Sequence, residues 1–572
     1  MSTNKKESAK YAWRYLLVQG VLGVLALTVV GRLIYLQVES QSFLKDQGDR
    51  RVLRVESIPA YRGIVQDRNG EPLAVSTPVV TLWANPRELI TQQHAWKELA
   101  KRLGVNETRL RDRILRNQEK QFLYLQRHMN PAKADEILQL DIAGVYGLEE
   151  RRRYYPASEV TAHLVGFTNI DDSGQEGVEL GYQEILQGMD GKKRVVKDLK
   201  HRTIKDVGLI RNPSPGQDVT LSIDLRAQYL AYRELLSAVN EYQASSGMAV
   251  ALDIQTGEVL AMVNQPSYNP NNRSTRDLAG LRNRALTDVF EPGSTVKPFT
   301  VAAGLESGLW QPESKIDTTP GYLRVGTKSI RDLHNYGVID LTTLIAKSSN
   351  VGAARIALSL EEDAVGNMFR RLGLGQATGT GFPGESVGML PVRQRWRPIE
   401  IATLSYGYGL TVTAVQLAQA YAVLGSGGIK RPVSLLKVEG EVPGERVLDE
   451  KYAHQVMQMM EQVTSDQGTA KKANVPGYRV AGKTGTVHKV SANGYEAHQY
   501  LGLFAGVAPA EDPKIAMVVV IDDPKGEAYY GGLVAAPVFA RIMSGLLRVK
   551  NIPPSKTVEN FVDAAKKESS DT

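Results

Sequence analysis

The sequence predicts an α+β protein with more than one domain, joined to a membrane by a single N-terminal helix. Its 572 residues exceed what one ordinary domain holds and are enough for two or three. One long apolar run lies near the N-terminus, and in the C-terminal half strand-like runs flank a mostly helical stretch. This order favours an antiparallel sheet that is packed with helices and carries an inserted helical lobe.

The apolar run spans residues 15–36, close to the ~20 residues that cross the hydrocarbon of a bilayer. Four basic residues precede it: Lys5, Lys6, Lys10 and Arg14. Because basic flanks stay in the cytoplasm, we expect a cytoplasmic tail over residues 1–14, a transmembrane anchor over 15–36, and the remainder outside. A cleaved signal peptide is one alternative, although residues 37–41 make a poor cleavage site, and a buried helix is another.

A mixed pattern follows over residues 37–215, which we expect to form an extended α+β pedestal domain. A strand-like run at Val79–Trp83 and an amphipathic helix at Trp96–Leu103 are typical of it. Asp67–Gly70 predicts a hairpin turn, since Asn-Gly is a favoured pair there. The Pro- and Gly-rich segment Asn212–Gly216 marks the end of the domain.

The second domain is predicted over residues 216–552, and a polar, charged tail over 553–572. Helices are expected at about 225–242 and 534–549, and helical segments dominate between 294 and 424. The predicted strands are 219–223, 248–252, 258–263, 478–483, 501–507 and 515–521.

Composition excludes several classes of function. The chain has no cysteine, which rules out disulfides, thiolate metal sites and a cysteine nucleophile. Its net charge of +7 fits either a basic soluble surface or attraction to an anionic envelope polymer. No nucleic-acid-binding motif is present, so we expect no nucleic-acid partner.

Three short motifs occur in a fixed order: Ser294 to Lys297, Ser348 to Asn350, and Lys483 to Thr486. Each alone is weak, since Ser-x-x-Lys and Ser-x-Asn both occur four times, although only Lys483 begins Lys-Thr-Gly. One copy of each, in this order and in suitable surroundings, is typical of the active site of a serine acyltransferase.

The first motif supplies a nucleophile and a base. Pro298 is tolerated only in the first turn of a helix, which places Ser294 at the helix start and Lys297 on the same face. A serine hydroxyl needs a neighbouring base, and lysine is one only when neutral. Its pKa of about 10.4 must fall by about 3, at a cost of roughly 4 kcal/mol, and burial and the charge of Lys483 both act in that direction. The alternative is an N-capping serine with a surface lysine.

The second motif suits proton relay and substrate orientation. Ser348 could pass a proton between Lys297 or Lys483 and a leaving amine. Asn350 could hold a substrate amide and orient Lys297. An ordinary helix cap is the alternative.

The third motif continues a strand, along which an extended peptide could pair. Lys483 and Gly485 share one face of it and Thr484 and Thr486 the other. Gly485 leaves room for substrate at the backbone, and Lys483 with the threonine hydroxyls suits a carboxylate. The N–H groups of Thr486 and Ser294 could form an oxyanion hole. A plain amphipathic strand is the alternative.

Together with their surroundings, these motifs resemble the class B penicillin-binding proteins, and the resemblance covers nearly the whole chain. Arg62-Gly63, Asp67 to Gly70 and Gly177 to Glu179 look like the pedestal motifs of that class. The residues around the catalytic motifs, with Tyr406 to Leu410, are most similar to the division-specific, septal (penicillin-binding protein 3) type. Thr484 departs mildly from the Lys-Ser-Gly-Thr common in that type and keeps the hydroxyl.

The resemblance implies a serine β-lactamase-like transpeptidase domain in the periplasm, on a single-pass protein of the bacterial inner membrane at the division septum. Ser294 would attack the penultimate D-Ala of a peptidoglycan stem pentapeptide on lipid-linked nascent strands, and β-lactams would acylate it. No metal or organic cofactor is implied. The usual partners are a glycosyltransferase of the SEDS type and other division proteins. Aromatic residues would wall the cleft: Tyr408, Tyr500, Tyr529 and Tyr530.

Other functions remain possible on the residues alone. A β-lactamase or β-lactam sensor shares the three motifs, but neither it nor a D,D-carboxypeptidase typically has this pedestal. A non-catalytic scaffold of the division machinery would not need Ser294, Lys297 and Lys483 intact.

Overall fold

The computed structural model describes residues 4–197, 203–272, 278–491 and 494–554, and its internal contacts divide the chain into two compact units. The first unit comprises residues 1–61, 79–150 and 188–215, and the second 62–78, 151–187 and 216–572. The predicted domain boundary at residue 215 stays a prediction, since two segments of the predicted pedestal fold with the second unit. Most of the predicted C-terminal tail, from residue 555, lies outside the described residues.

The first unit begins with a long helix, Asn4–Ile34, which continues as a π-helical turn, Tyr35–Glu39. Its apolar stretch Trp13–Glu39 has 27 residues, and the most apolar 18 of them have a mean hydropathy of 2.0 and no buried residue. Length and composition therefore fit a single membrane-spanning anchor, as predicted. A second helix follows at Gln41–Val52.

Beyond the anchor, the first unit is a mixed α+β structure with its own core, in which Leu82, Trp96, Leu99 and Ile114 are buried. One antiparallel sheet joins Leu53–Ile58, Gly191–Lys197 and Thr203–Arg211. Elsewhere residues 80–84 of the strand Pro72–Ala84 pair with the strand Leu123–Met129. The helices of the unit are Pro86–Leu89, Trp96–Leu103, Glu107–Arg116 and Pro131–Leu138.

The second unit is built on a five-stranded antiparallel sheet, as the sequence predicts. Its strands in chain order are β1 Ser246–Asp253, β2 Val259–Gln265, β3 Ala481–Ser491, β4 Gly494–Ala508 and β5 Ile515–Asp522. Their spatial order is β2-β1-β5-β4-β3, so β3, which carries the third motif, is an edge strand. Because β1 and β2 are buried along their whole length, their central residues, Met248–Leu252 and Val259–Val263, form uninterrupted apolar runs.

Helices cover this sheet and form the inserted lobe. The helices α1 Leu225–Glu241 and α6 Ala536–Val549 pack against each other and the sheet, and α5 Ala414–Gly425 packs on β1 and β5. The inserted lobe includes α2 Lys297–Glu306, α3 Leu341–Lys347 and α4 Asn350–Ser359. Its other helices are Leu278–Leu281, Arg284–Thr287, Ala364–Arg371, Pro398–Leu404 and Glu450–Glu461. The α+β class and the helical lobe are thus confirmed.

Two of the pedestal-type motifs meet in the second unit as a buried ion cluster. Glu179 accepts from Arg62 Nε at 2.7 Å and from Arg153 Nε at 2.6 Å, and all three side chains are at most 2% exposed. Arg62 also donates to the Glu179 carbonyl at 2.9 Å. One carboxylate therefore holds together segments that are far apart in the chain.

The predicted turn at residues 67–70 is bonded to a helix within the second unit. Asp67 Oδ1 accepts from the N–H groups of Asn69 and Glu71, at 2.7 and 2.9 Å. Its other oxygen accepts from the Leu225 N–H at 2.9 Å, at the start of α1. This carboxylate thus stabilises its own turn and fixes it to a helix end.

Replacing Glu179 by Gln removes the carboxylate that pairs directly with two buried guanidinium groups. We expect it to lower the free energy of unfolding by about 3–5 kcal/mol, the usual cost of breaking a buried ion pair on one side. Asp512→Asn, which neutralises an exposed carboxylate paired with Lys514, should cost no more than about 1 kcal/mol. Urea unfolding followed by circular dichroism measures both, and equal effects would contradict the structural role of Glu179.

Candidate active site

The turn that precedes Ser294 is held against strand β3 and a neighbouring loop. Ser294 lies in a single 3₁₀ turn, Gly293–Val296, which leads directly into α2. Gly293 has φ +52°, and a Cβ there would lie 2.3 Å from Val487 Cγ1 of β3. Its N–H donates to the Gly407 carbonyl at 3.1 Å. Only glycine fits this position, so the Pro-Gly pair before the serine is a requirement of packing.

Further contacts behind the serine fix the same turn. The fully buried Tyr421 of α5 donates its hydroxyl to the Thr295 carbonyl at 2.7 Å. Thr295 Oγ1 donates to the Pro292 carbonyl at 2.6 Å. A Cβ on Gly485 would lie 3.0 Å from Thr295 Cγ2 and 3.2 Å from the Pro292 oxygen. The sequence predicts room for substrate beside Gly485, but in the structure that space is occupied by the nucleophile turn.

The Lys297 amine is completely buried and surrounded by oxygen atoms of the second motif. Its Nζ donates to the Ser348 carbonyl at 2.5 Å and to Asn350 Oδ1 at 2.7 Å, and it lies 3.1 Å from Ser348 Oγ. Burial holds the pKa of Lys297 well below its usual value, the charge of Lys483 lowers it further, and Asp332 opposes both. The amine is therefore suited to be neutral, as a base must be.

The second motif joins two helices. Ser348 ends α3 in a left-handed conformation, φ +62°, and Ser349 caps α4 by accepting from the Gly352 N–H at 2.9 Å. Asn350 Nδ2 donates to the Arg331 carbonyl at 3.0 Å. This contact fixes the amide so that its oxygen faces Lys297. The predicted helix cap and the predicted orienting contact thus both occur, on neighbouring residues.

Sequence reasoning missed Asp332, which binds this motif. Its carboxylate accepts from Ser349 Oγ at 2.6 Å and from the N–H groups of Asn350 and Val351 at 2.5 and 3.0 Å. Asp332 lies just after the short strand Lys328–Arg331. No short motif surrounds it, so only the fold brings it to Ser349.

The third motif lies on the edge strand β3, with its lysine buried. Lys483 Nζ donates to the Thr484 carbonyl at 3.1 Å and to Thr484 Oγ1 at 3.3 Å. Burial lowers the pKa of Lys483 to about 7. Thr484 Oγ1 lies 3.0 Å from Thr469 Oγ1, and Thr486 Oγ1 accepts from the Gly531 N–H at 3.0 Å. The threonine hydroxyls therefore face the loops that border the cleft.

A cleft of about 420 Å³ brings the three motifs together. From them it is lined by Ser294, Ser348, Asn350, Thr484 and Thr486. Residues that sequence reasoning did not assign complete it: Leu333, Tyr336, Lys347, Thr469, Gly532 and Leu533. Among the described residues Ser294 Oγ makes no hydrogen bond, and no group of three His, Asp or Glu side chains is placed to hold a metal ion.

Of the four predicted wall residues, Tyr530 lines this cleft. Tyr529 stacks on it with ring centroids 4.5 Å apart, and Tyr500 stacks on Tyr529 at 4.3 Å. Tyr408 instead packs edge-on against Tyr406 and Tyr495, at 5.6 and 6.0 Å. The first three tyrosines thus form one continuous stack that ends at the cleft, and the role of all four in substrate binding stays a prediction.

Comparison with protein families matches both parts of the chain. The model of the penicillin-binding protein transpeptidase domain matches residues 247–544, more than half of the chain. The model of the penicillin-binding protein dimerisation domain matches residues 57–221. The three motifs all lie within the first of these matches.

Relatives match over nearly the full length. The peptidoglycan D,D-transpeptidase FtsI of Escherichia coli K12 is 46% identical over 556 residues, 96% of this chain and 94% of that protein. The probable peptidoglycan D,D-transpeptidase PbpC of Pseudomonas aeruginosa is 42% identical over 547 residues, 96% of this chain and 97% of that one.

Solved structures of penicillin-binding proteins are also similar to this chain. The transpeptidase domain of Burkholderia pseudomallei penicillin-binding protein 3 is 41% identical with a TM-score of 0.55, covering 59% of this chain and 98% of that one. Penicillin-binding protein 3 of Mycobacterium tuberculosis, complexed with aztreonam, is 27% identical with a TM-score of 0.68, covering 88% and 98%.

The two buried lysines should respond differently to substitution by arginine. Lys297→Arg cannot become neutral, so acylation by benzylpenicillin should fall by about 10²–10⁴, the usual contribution of a general base. Lys483→Arg keeps a positive charge and should mainly weaken recognition of the drug carboxylate. Lys514→Arg, at a lysine outside the cleft that pairs with Asp512, is the control and should remain close to the parent. Stopped-flow measurement of the acylation rate tests this prediction. If Lys297→Arg is acylated as fast as the parent, Lys297 is not the base.

The pH dependence of the same rate gives a second readout. The predicted roles require Lys297 to be neutral and Lys483 to be charged. The acylation rate should therefore fall at low pH as Lys297 is protonated, and fall again as pH rises through about 7 and Lys483 loses its charge. Lys483→Arg should retain its rate above that pH, because guanidinium stays charged.

Proposed function

The chain belongs to the class B penicillin-binding proteins and is a peptidoglycan D,D-transpeptidase, and we propose that it cross-links stem peptides during septal cell-wall synthesis through an acyl-enzyme on Ser294. One observation carries this assignment of the site. The buried Lys297 amine is bonded to Ser348 and Asn350, and those two residues line the same cleft as Ser294, Thr484 and Thr486.

Acylation begins when Ser294 Oγ attacks the carbonyl carbon of the penultimate D-Ala of a donor stem peptide. Its proton passes to the neutral Lys297 amine as the Oγ–C bond forms. The N–H groups of Ser294 and Thr486 stabilise the oxyanion. Lys483 and the hydroxyls of Thr484 and Thr486 hold the terminal carboxylate. The C–N bond then breaks, and the departing D-Ala takes a proton from Lys297 through Ser348.

Transfer reverses these steps with a new amine. An amino group of a neighbouring stem peptide attacks the ester carbonyl and gives up its proton through Ser348 to Lys297. A new amide bond forms, the Oγ–C bond breaks, and Ser294 recovers its proton. Asn350 holds the donor amide and keeps Lys297 oriented throughout. The oxygen partners of Lys297 support this cycle, because they hold the amine in one position beside Ser348.

The same site accounts for inhibition by β-lactams, which would acylate Ser294 as substrate mimics. The stack of Tyr500, Tyr529 and Tyr530 would wall the binding site on the side of β3, with Tyr408 near the nucleophile turn. Support for the wall is the position of Tyr530 in the cleft and the continuous stacking behind it.

The cellular setting proposed is the bacterial inner membrane at the division septum, with the transpeptidase domain in the periplasm. The single apolar N-terminal helix and its basic flank support this placement. The proposed partners are a SEDS-type glycosyltransferase, which would supply lipid-linked nascent strands, and other division proteins. The match of residues 57–221 to a dimerisation-domain model supports a role of that segment in assembly.

Mass spectrometry after incubation with benzylpenicillin tests the nucleophile. The parent protein should gain one drug mass on the peptide that contains Ser294. Ser294→Ala should take up no label and keep the parent circular dichroism spectrum, whereas Ser434→Ala, at another Ser-x-x-Lys serine, should label fully. Label on Ser42 or Ser434 in the parent would refute the assignment.

A further inference from the structure

Asp332 connects the second motif to a small hairpin at the rim of the cleft. The hairpin consists of the strands Tyr322–Val325 and Lys328–Arg331, and Asp332 follows it directly. The Asp332 N–H donates to the Gly321 carbonyl at 2.9 Å, which ties the residue to the base of the hairpin. Its side chain is half-buried and points to the start of α4.

At that helix start, one carboxylate satisfies several donors. The N–H groups of Asn350 and Val351 donate to Asp332 Oδ1, at 2.5 and 3.0 Å, and Ser349 Oγ donates to Oδ2 at 2.6 Å. Ser349 Oγ in turn accepts from the Gly352 N–H. The first amides of a helix otherwise lack partners and carry partial positive charge, so a carboxylate there is stabilising. These hydrogen bonds hold the hairpin and the second motif together.

These contacts also affect the surroundings of Lys297, because Ser348 and Asn350, which flank Ser349, are its hydrogen-bond partners. Asn350 Nδ2 is held by the Arg331 carbonyl, which leaves its oxygen for Lys297. Ser348 keeps a left-handed backbone, φ +62°, which costs about 1–2 kcal/mol for a residue with a side chain. Without the anchor at Ser349, the backbone would be free to relax, and the Ser348 carbonyl and hydroxyl would leave the amine.

We propose that Asp332 is a positioning residue of the acylation reaction: by holding Ser349 and the start of α4, it keeps Ser348 and Asn350 against the Lys297 amine. This inference rests on the proposed role of Lys297 as the base. A second effect follows from charge. Asp332 raises the pKa of Lys297 against burial and Lys483, so the charges acting on the amine are Lys483 on β3 and Asp332 beside the hairpin. Lys347 also lines the cleft, with its amine bonded to the Gln467 carbonyl.

Three variants and one control separate the effect of position from that of charge. Acylation rates are measured with a fluorescent penicillin across pH on the full-length protein. Asp332→Asn removes the charge and weakens the contacts; its maximal rate should fall about 10–100-fold, the effect of losing charged hydrogen bonds. Its acid limb should move to lower pH, because Lys297 then loses its proton more easily. Asp332→Glu and Ser349→Ala keep the charge and disturb the contacts, so both should lower the maximal rate with the acid limb unmoved.

Asp340→Asn is the matched control. Asp340 caps the neighbouring helix α3 by accepting from the Thr343 N–H at 2.8 Å, yet its charge does not act on Lys297. It should change neither the maximal rate nor the acid limb. If Asp332→Asn behaves like Asp340→Asn, the inference is wrong.

Two further outcomes are decisive. If Asp332→Asn fails to fold, Ser349→Ala and Asp332→Glu decide, and a parent-like maximal rate in either overturns the inference. Failure of the proposed function itself is distinguishable, since the parent would then carry no label on Ser294.

Discussion

Two lysine amines are buried side by side in this protein, and the remainder of the site depends on how that burial is tolerated. Lys297 and Lys483 are both fully inaccessible to solvent. Taking an ammonium out of water costs several kcal/mol even after relaxation, and two of them repel each other. Burial lowers the pKa of both lysines, to about 7 for Lys483, and the charge of Lys483 lowers the pKa of Lys297 further, which favours loss of a proton from Lys297 before Lys483. Lowering the pKa of a lysine from about 10.4 to about 7 costs between 4 and 5 kcal/mol, a large share of the roughly 5–15 kcal/mol that stabilises a domain.

The two amines stay buried at this cost only if the residues around them are held in place, and the contacts of the site hold them. Three oxygen atoms lie within hydrogen-bond distance of the Lys297 amine. Tyr421 donates to the carbonyl of Thr295, the residue after Ser294. The absence of side chains at Gly293 and Gly485 lets the turn that carries Ser294 lie directly on β3. Because these contacts come from α3, α4, α5 and an edge strand, the cleft forms only when the lobe and the sheet are both in place. The open edge of β3 then remains available for an extended peptide.

Much of the fold and the catalytic motifs could be predicted from the sequence because their signals are local. The apolar run, the strands around the helical stretch and the Pro-Gly turn before Ser294 each depend on residues close in the chain. The lysine pair could be predicted because burial and a second cation both lower the pKa of a lysine and so favour the neutral form that a base requires. The role of Asp332 could not be predicted, since its three hydrogen-bond partners lie 17 to 19 residues away in the chain. For the same reason, the packing of Gly485 on Thr295, the Arg62–Glu179–Arg153 cluster and the inclusion of residues 62–78 in the second unit needed the fold.

The ionisation of Lys297 itself is the most direct measurement. The full-length protein labelled with ¹³C at the lysine ε-carbon, in detergent micelles, should show two lysine resonances that titrate far below about 10.4, the ordinary value for lysine. One belongs to Lys483, with a midpoint of about 7, and the other belongs to Lys297. That resonance should be absent from the spectrum of Lys297→Arg, and its midpoint should rise when Lys483 is replaced by Met, since the neighbouring charge is then gone. If every lysine resonance titrates near the ordinary value, Lys297 is charged at neutral pH and cannot be the base that activates Ser294.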